Sequence, residues 1–180
     1  MKNSNFVHLH SHTHFSLLRA LPTIDELVEG AKEKGYDAVA MTDLGSMYGA
    51  IQFYKKCKEE DMKPIIGFEA FVAPDSRFNK EYSEGETPYY HLILLAENFE
   101  GYQNLMKLSS KGHLEGLYRE IPRIDNELMR EFSDNIIALS GPIEGEVPSL
   151  LAEDKQEQAK KTALEYQEIF GEDNFFLACT

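Results

Sequence analysis

Residues 8–14 read HLHSHTH, so four of the chain's six histidines, His8, His10, His12 and His14, stand at every second position. The β-formers Phe6 and Val7 precede them, and the strict alternation predicts an extended strand over residues 6–12. Alternate strand side chains share a face, which puts His8, His10 and His12 on one side. Cα atoms two apart on a strand are separated by roughly 6.5–7 Å, and two imidazoles leaning inward from that spacing can share one metal ion. Neutral imidazole suits zinc and its first-row neighbours. The alternative is an exposed histidine-rich strand end.

The elements that would carry this run emerge from periodicity. Residues 23–35, TIDELVEGAKEKG, predict a helix: Thr23 and Glu26 form a capping box, Ile24, Leu27, Val28 and Ala31 share a face, and Gly35 closes it. DAVAMTD predicts a short buried strand, with Asp43 placed to cap the helix after it. SMYGAIQFYKKCKEE predicts a helix whose covered stripe is Met47, Ile51, Tyr54 and Cys57 or Lys58. KPIIGFEAFVAP reads as strand interrupted at Gly67, residues 75–87 as loop, YYHLILLAEN as strand, and FEGYQNLMKLSSKGH as a helix buried through Leu105 and Leu108. After these come a turn at REIPRID, a short helix at NELMREF and the strand NIIALS. EGEVPSLLAE predicts a short helix, and DKQEQAKKTALEYQEIFG a long one capped by Asp154 and ended by Gly171. NFFLACT reads as a final buried strand. Alternating strands and helices favour parallel β with helical crossovers, either a barrel or a doubly wound sheet.

The bulk numbers narrow the classes. With 180 residues, 42% hydrophobic and 27% charged, the chain is a single globular domain, residues 1–180, or a piece of a longer protein. No apolar run approaches the roughly 18 residues of a membrane span, and the start lacks a signal-peptide apolar region. Cys57 and Cys179 form no CxxC pair and no disulfide framework, which points to a reducing, cytoplasmic setting. A net charge of −13 opposes binding to a polyanion, so direct contact with nucleic acid is expected to be weak. No aromatic platform interleaved with Lys or Arg is evident.

Four ordered blocks carry a resemblance: FVHLHSHTHFSLL, AVAMTDLGSMYGAIQFYKKCKEEDMKPIIGFEAFVAP, HLILLAENFEGYQNLMKLSSKGHLEG and IIALSGPIEGEV. Together they resemble the PHP (polymerase and histidinol phosphatase) domain, and more closely the N-terminal PHP domains of bacterial DNA polymerase III alpha subunits. The resemblance runs from Phe6 to Phe176. It implies a distorted parallel (β/α)7-like barrel, here truncated at its C-terminal end, with a cluster of up to three ions at the strand ends. In some members that cluster hydrolyses phosphoesters or trims a 3′ end.

Carried over residue by residue, the resemblance implies metal ligands at His10, His12, Glu69 and His91. Three other positions depart from the pattern. A carboxylate is replaced by Arg19, a histidine by Leu44 and a cysteine by Pro142. A three-ion cluster needs anionic donors to hold cations close together, so the expectation falls to a single divalent ion, zinc or manganese, at partial occupancy or absent. The remaining readings are that His8 hydrogen-bonds within the barrel, that Glu69 pairs with Arg19, and that His91 is a satisfied core histidine. No catalytic residue is assigned. The implied function is a degenerate structural and docking module of a replicative polymerase. Its implied partners are the rest of the subunit and a separate proofreading exonuclease. The alternatives are a metal-dependent 3′–5′ exonuclease within the same subunit, or a stand-alone phosphatase, against which the polymerase-like blocks count.

Overall fold

The structure is a computed structural model that describes residues 6–178. Six strands and six helices are found among those residues. They are α1 (Ile24–Glu33), β1 (Ala38–Leu44), α2 (Ala50–Glu59), β2 (Lys63–Val72), β3 (Tyr90–Ala96), α3 (Phe99–Glu115), β4 (Arg123–Ile124), α4 (Asn126–Phe132), β5 (Ile136–Leu139), α5 (Glu146–Ala152), α6 (Gln156–Phe170) and β6 (Phe175–Phe176). All six strands belong to one sheet of order β1-β2-β3-β5-β6, with β4 beside β2.

The sheet is mixed, which corrects the parallel-barrel expectation. β1 and β2 are parallel, as are β5 and β6, but β3 runs antiparallel to both β2 and β5. It is also open among the described residues. Residues 6–12 form no strand there. Their stretch 8–11 lies along β1 and takes two backbone bonds from it, Ala40 N–H to His8 O and Thr42 N–H to Ser11 O.

Two helical layers cover the sheet's outer face. α1 and α2 bury Ile24, Val28, Ala50, Phe53 and Cys57 on Val39 and Met41 of β1. α3, α4 and α6 bury Leu105, Leu108, Leu128, Tyr166 and Phe170 on Phe68, Leu92, Leu94 and Ala138. The α1 capping box forms as expected, and Gly35 ends that helix at φ 77°. α2 turns its Ala50–Phe53–Cys57 stripe inward, leaving Ile51 and Tyr54 exposed, a one-position rotation from the expected stripe. β2 passes straight through Gly67, where a Cβ would overlap the Leu94 carbonyl oxygen of β3. Lys155, not Asp154, occupies the N-cap of α6. The final strand is only Phe175–Phe176, and Cys179 lies outside the described residues.

The inner face is laid out by the period of two. Ile65 of β2, Ile93 and Leu95 of β3, and Ile137 and Leu139 of β5 meet Leu9 and Ala178 there. They line a trough of about 950 Å³ between residues 6–10 and 176–178. Glu69 and His91 continue the same odd-numbered faces of β2 and β3 towards one end of the sheet.

A latch fixes the long loop before β3. The Arg123 guanidinium is fully buried, 4.7 Å from the Tyr118 ring centroid and 5.3 Å from that of Tyr82. It donates to Gly116 O, Asn79 O, Arg77 O, Pro88 O and the Tyr82 hydroxyl. Arg77 in turn pairs with Asp125, which caps α4, and with Glu115 at the end of α3. The bond to Pro88 sets the chain's approach to Tyr90 and His91.

Candidate metal centre

The four predicted ligand positions come together. Glu69 lies opposite Ile93 and Phe71 opposite His91 on the antiparallel β2–β3 pair. Glu69 and His91 are thus diagonal neighbours on one face, a separation that long side chains span. His91 Nδ1 and Glu69 Oε1 are 2.5 Å apart. From the other side, His10 Nε2 and His12 Nε2 each lie 2.6 Å from Glu69 Oε2 and 3.2 Å from one another.

Glu69 is 2% exposed. Burial on its own pushes its carboxyl upward, but the bonds from His10, His12 and His91 outweigh it and hold the group well below the usual carboxylate range. Arg19 plays no part. It is exposed in the turn after the histidine run, so the Glu69–Arg19 pair is replaced by a carboxylate held by three imidazoles. His8 stays away from this group, with its ring against Phe6 and Tyr36. His14 stacks on Phe15, and its Nδ1 is buried without a partner among the described residues.

Residue 43 corrects another expectation. Asp43 caps no helix. It is completely buried and binds the histidine-bearing loop: Thr13 N–H and Ser16 Oγ donate to Oδ1, each at 2.6 Å, and Thr13 Oγ1 donates to Oδ2 at 2.7 Å. One residue earlier, Thr42 Oγ1 accepts Ser11 N–H at 2.9 Å. The TD dipeptide within MTD was the one signal in the sequence, but nothing in it says that its partners lie some thirty residues upstream.

The donors present suit one ion. His10, His12 and Glu69 form a group whose ligand atoms lie within 4.8 Å of one another. Tetrahedral zinc with ligands at about 2.0 Å needs ligand edges of roughly 3.3 Å. The His10–His12 separation of 3.2 Å already matches that edge. The 2.6 Å contacts to Glu69 are hydrogen bonds that would open by roughly 0.7 Å on exchange of the imidazole protons for a cation. Two positions at which the resemblance implies further ligands carry none. Leu44 sits beside Glu69 in the β1–β2 register with an alkyl side chain, and Pro142 comes shortly after β5 with no side-chain lone pair.

Two imidazoles and a carboxylate on the inner face of an α/β sheet, with a third imidazole behind them, define a histidine–carboxylate centre of the kind that holds a divalent cation. The family model of the PHP domain matches residues 8–180, and the chain belongs to that family. It is similar to curated proteins named DNA polymerase III subunit alpha. It is 44% identical to that of Treponema pallidum over 98% of this chain, 46% to that of Thermus aquaticus over 96%, and 45% to that of Deinococcus radiodurans over 96%. The chain spans 13–15% of the length of these relatives.

Proposed function

We propose that this PHP domain is a structural and docking module of a bacterial DNA polymerase III alpha subunit, with a centre for one divalent ion, zinc or manganese, and no hydrolytic cluster. The polymerase context is supported by identities of 44–46% over nearly the whole chain. One observation carries the loss of hydrolysis. Among the described residues, every donor that converges belongs to the His10–His12–Glu69–His91 group, while Arg19, Leu44 and Pro142 offer no anionic or lone-pair ligand for a second ion. A single ion there would pin residues 10–12 to β2 in place of the imidazole protons. The partners in this reading are the remainder of the subunit and a proofreading exonuclease, and its setting is the cytoplasm. An apolar groove of about 460 Å³ flanked by Ile51, Tyr54, Phe99 and Tyr102 offers such a contact. Among the described residues no helix is long and apolar enough to cross a membrane.

Mass-spectrometric metal counting on the purified chain, with a subsequent phosphodiester assay in added manganese or zinc, tests this. The expected result is at most one ion per chain and no turnover. Two or more ions, or turnover that disappears in His12→Ala, would overturn it in favour of a 3′–5′ exonuclease.

A further inference from the structure

The geometry points to Asp43 as the positioning residue of this centre: its buried carboxylate sets the separation of the His10 and His12 imidazoles. The inference rests on the one-ion reading for its consequence, but its structural content is independent of any metal.

Residues 8–12 form no regular strand, and the backbone bonds from Ala40 and Thr42 do not by themselves fix the imidazoles. The segment from Ser11 to Ser16 is held by side chains. Asp43 occupies the second-to-last position of β1, a strand buried along almost its whole length. Its two oxygens take three donors from Thr13 and Ser16, both buried themselves. Ser16 Oγ also accepts the Leu44 N–H at 3.1 Å, which closes a ring from β1 to the loop and back. Thr42 grips Ser11 on the other side, accepting its N–H and donating to its carbonyl oxygen. His12 therefore lies between two clamped residues, Ser11 and Thr13, and His10 immediately precedes them. Asp43 touches neither imidazole; it acts through the backbone. Of the three groups facing it, the Thr13 N–H can only donate, and with both hydroxyls donating as well the carboxylate takes all three. An asparagine that keeps its oxygen on Thr13 N–H and Ser16 Oγ would set its N–H₂ against the Thr13 hydroxyl, which must then turn and accept, so the donation from Thr13 Oγ1 is lost. Loss of partners that orient ligands in this way commonly costs 10–100-fold in metal affinity.

The test uses Asp43→Asn, Thr13→Val and Thr13→Ser in the 180-residue chain. Thr13→Val removes a hydroxyl at constant shape, whereas Thr13→Ser keeps it. The first arm is metal-free: nitrogen-15 NMR of the imidazoles reads whether the His10 and His12 Nε2–H protons are held against exchange. They should be held in the parent chain and in Thr13→Ser, and lost in Asp43→Asn and Thr13→Val. The second arm titrates cobalt(II) and tracks its visible spectrum. Affinity should fall at least tenfold in Asp43→Asn and Thr13→Val, with an altered band pattern, and return in Thr13→Ser. A purely structural role predicts something different: lower melting temperatures, with protected imidazole protons and unchanged cobalt spectra in the folded protein. That outcome would overturn the assignment. A parent chain that takes up no cobalt would defeat the one-ion reading instead, and the metal-free arm would still decide the role of Asp43. Should Asp43→Asn fail to fold, the Thr13 pair carries both arms.

Discussion

Glu69→Gln changes the charge at the heart of the centre and almost none of its volume. In metal-free protein Oε2 receives two imidazole donors and Oε1 a third. The amide keeps one oxygen. With that oxygen towards His10 and His12, its N–H₂ faces His91, which must shift its proton to Nε2 and accept through Nδ1. The opposite orientation would require both His10 and His12 to turn acceptor at nitrogens 3.2 Å apart, so the first prevails. Three charge-assisted bonds then become three neutral ones, a loss of about 1 kcal/mol each. Glu69 is 2% exposed, and a neutral amide is cheaper to bury, which returns about 1 kcal/mol and leaves a net loss of about 2 kcal/mol. For a chain of this size the melting temperature at pH 7 should fall by roughly 4–8 °C. The pH dependence has a definite sign. Burial raises the Glu69 carboxyl and the three imidazole bonds more than offset it, so its folded pKa lies below its unfolded one. Such a group stabilises fully above the unfolded value of about 4.3, and the stabilisation is lost as pH falls through the folded value. In melts with chelator, the gap between parent and Glu69→Gln should be widest near pH 7 and narrow progressively below about pH 4. A variant as stable as the parent at pH 7 would show that desolvation of Glu69 exceeds what three imidazoles return. A gap undiminished at about pH 3 would show that its charge is not the source.

Arg123→Met should cost about 3–5 kcal/mol, because it strands the carbonyls of Asn79 and Pro88 in a buried site and takes one of two donors from those of Gly116 and Arg77; faster proteolysis within residues 75–87 would accompany the fall in urea midpoint. Glu146, half-buried between α5 and α6, has its carboxyl raised chiefly by burial, with bonds from Tyr166 and Thr162 opposing. A raised folded pKa favours the fold below the unfolded pKa and lowers stability as pH rises towards the folded value, so Glu146→Gln should melt higher than the parent at about pH 7 and equal to it near pH 3. The Cys57 thiol is fully buried and pushed up to about 11 by burial, with Lys58 pulling weakly the other way. Peptide mapping after alkylation at about pH 8 should find Cys57 unmodified in native protein and modified in urea, and rapid native labelling would contradict its placement on the buried face of α2.

What the sequence disclosed depended on whether the determining contacts were local. The α1 boundaries lie in a capping box and a glycine a few residues apart, and β1, β3 and α3 announce themselves by apolar runs of the right length. Strand direction has no such marker. YHLILLA reads the same whether its neighbours run with it or against it, and only its pairing with β2 and β5 makes it antiparallel. In α2 the stripes Ala50–Phe53–Cys57 and Met47–Ile51–Tyr54, the latter continued by Cys57 or Lys58, are both helical in period. Only packing against α1 and the sheet selects the first, which leaves Ile51 and Tyr54 exposed and Met47 half-buried. The centre divides in the same way. His10 and His12 are legible because one extended segment presents both. Glu69 and His91 are isolated in sequence, and only the family resemblance singled them out. Asp43 was misassigned to a cap because a strand-end aspartate before a helix has an ordinary local use, whereas its real donors lie at Thr13 and Ser16. Motifs thus single out the residues that meet at such a centre, but the groups that hold them together depend on register. A chain that keeps HxH and loses the buried carboxylate behind it should keep the motif and lose the grip.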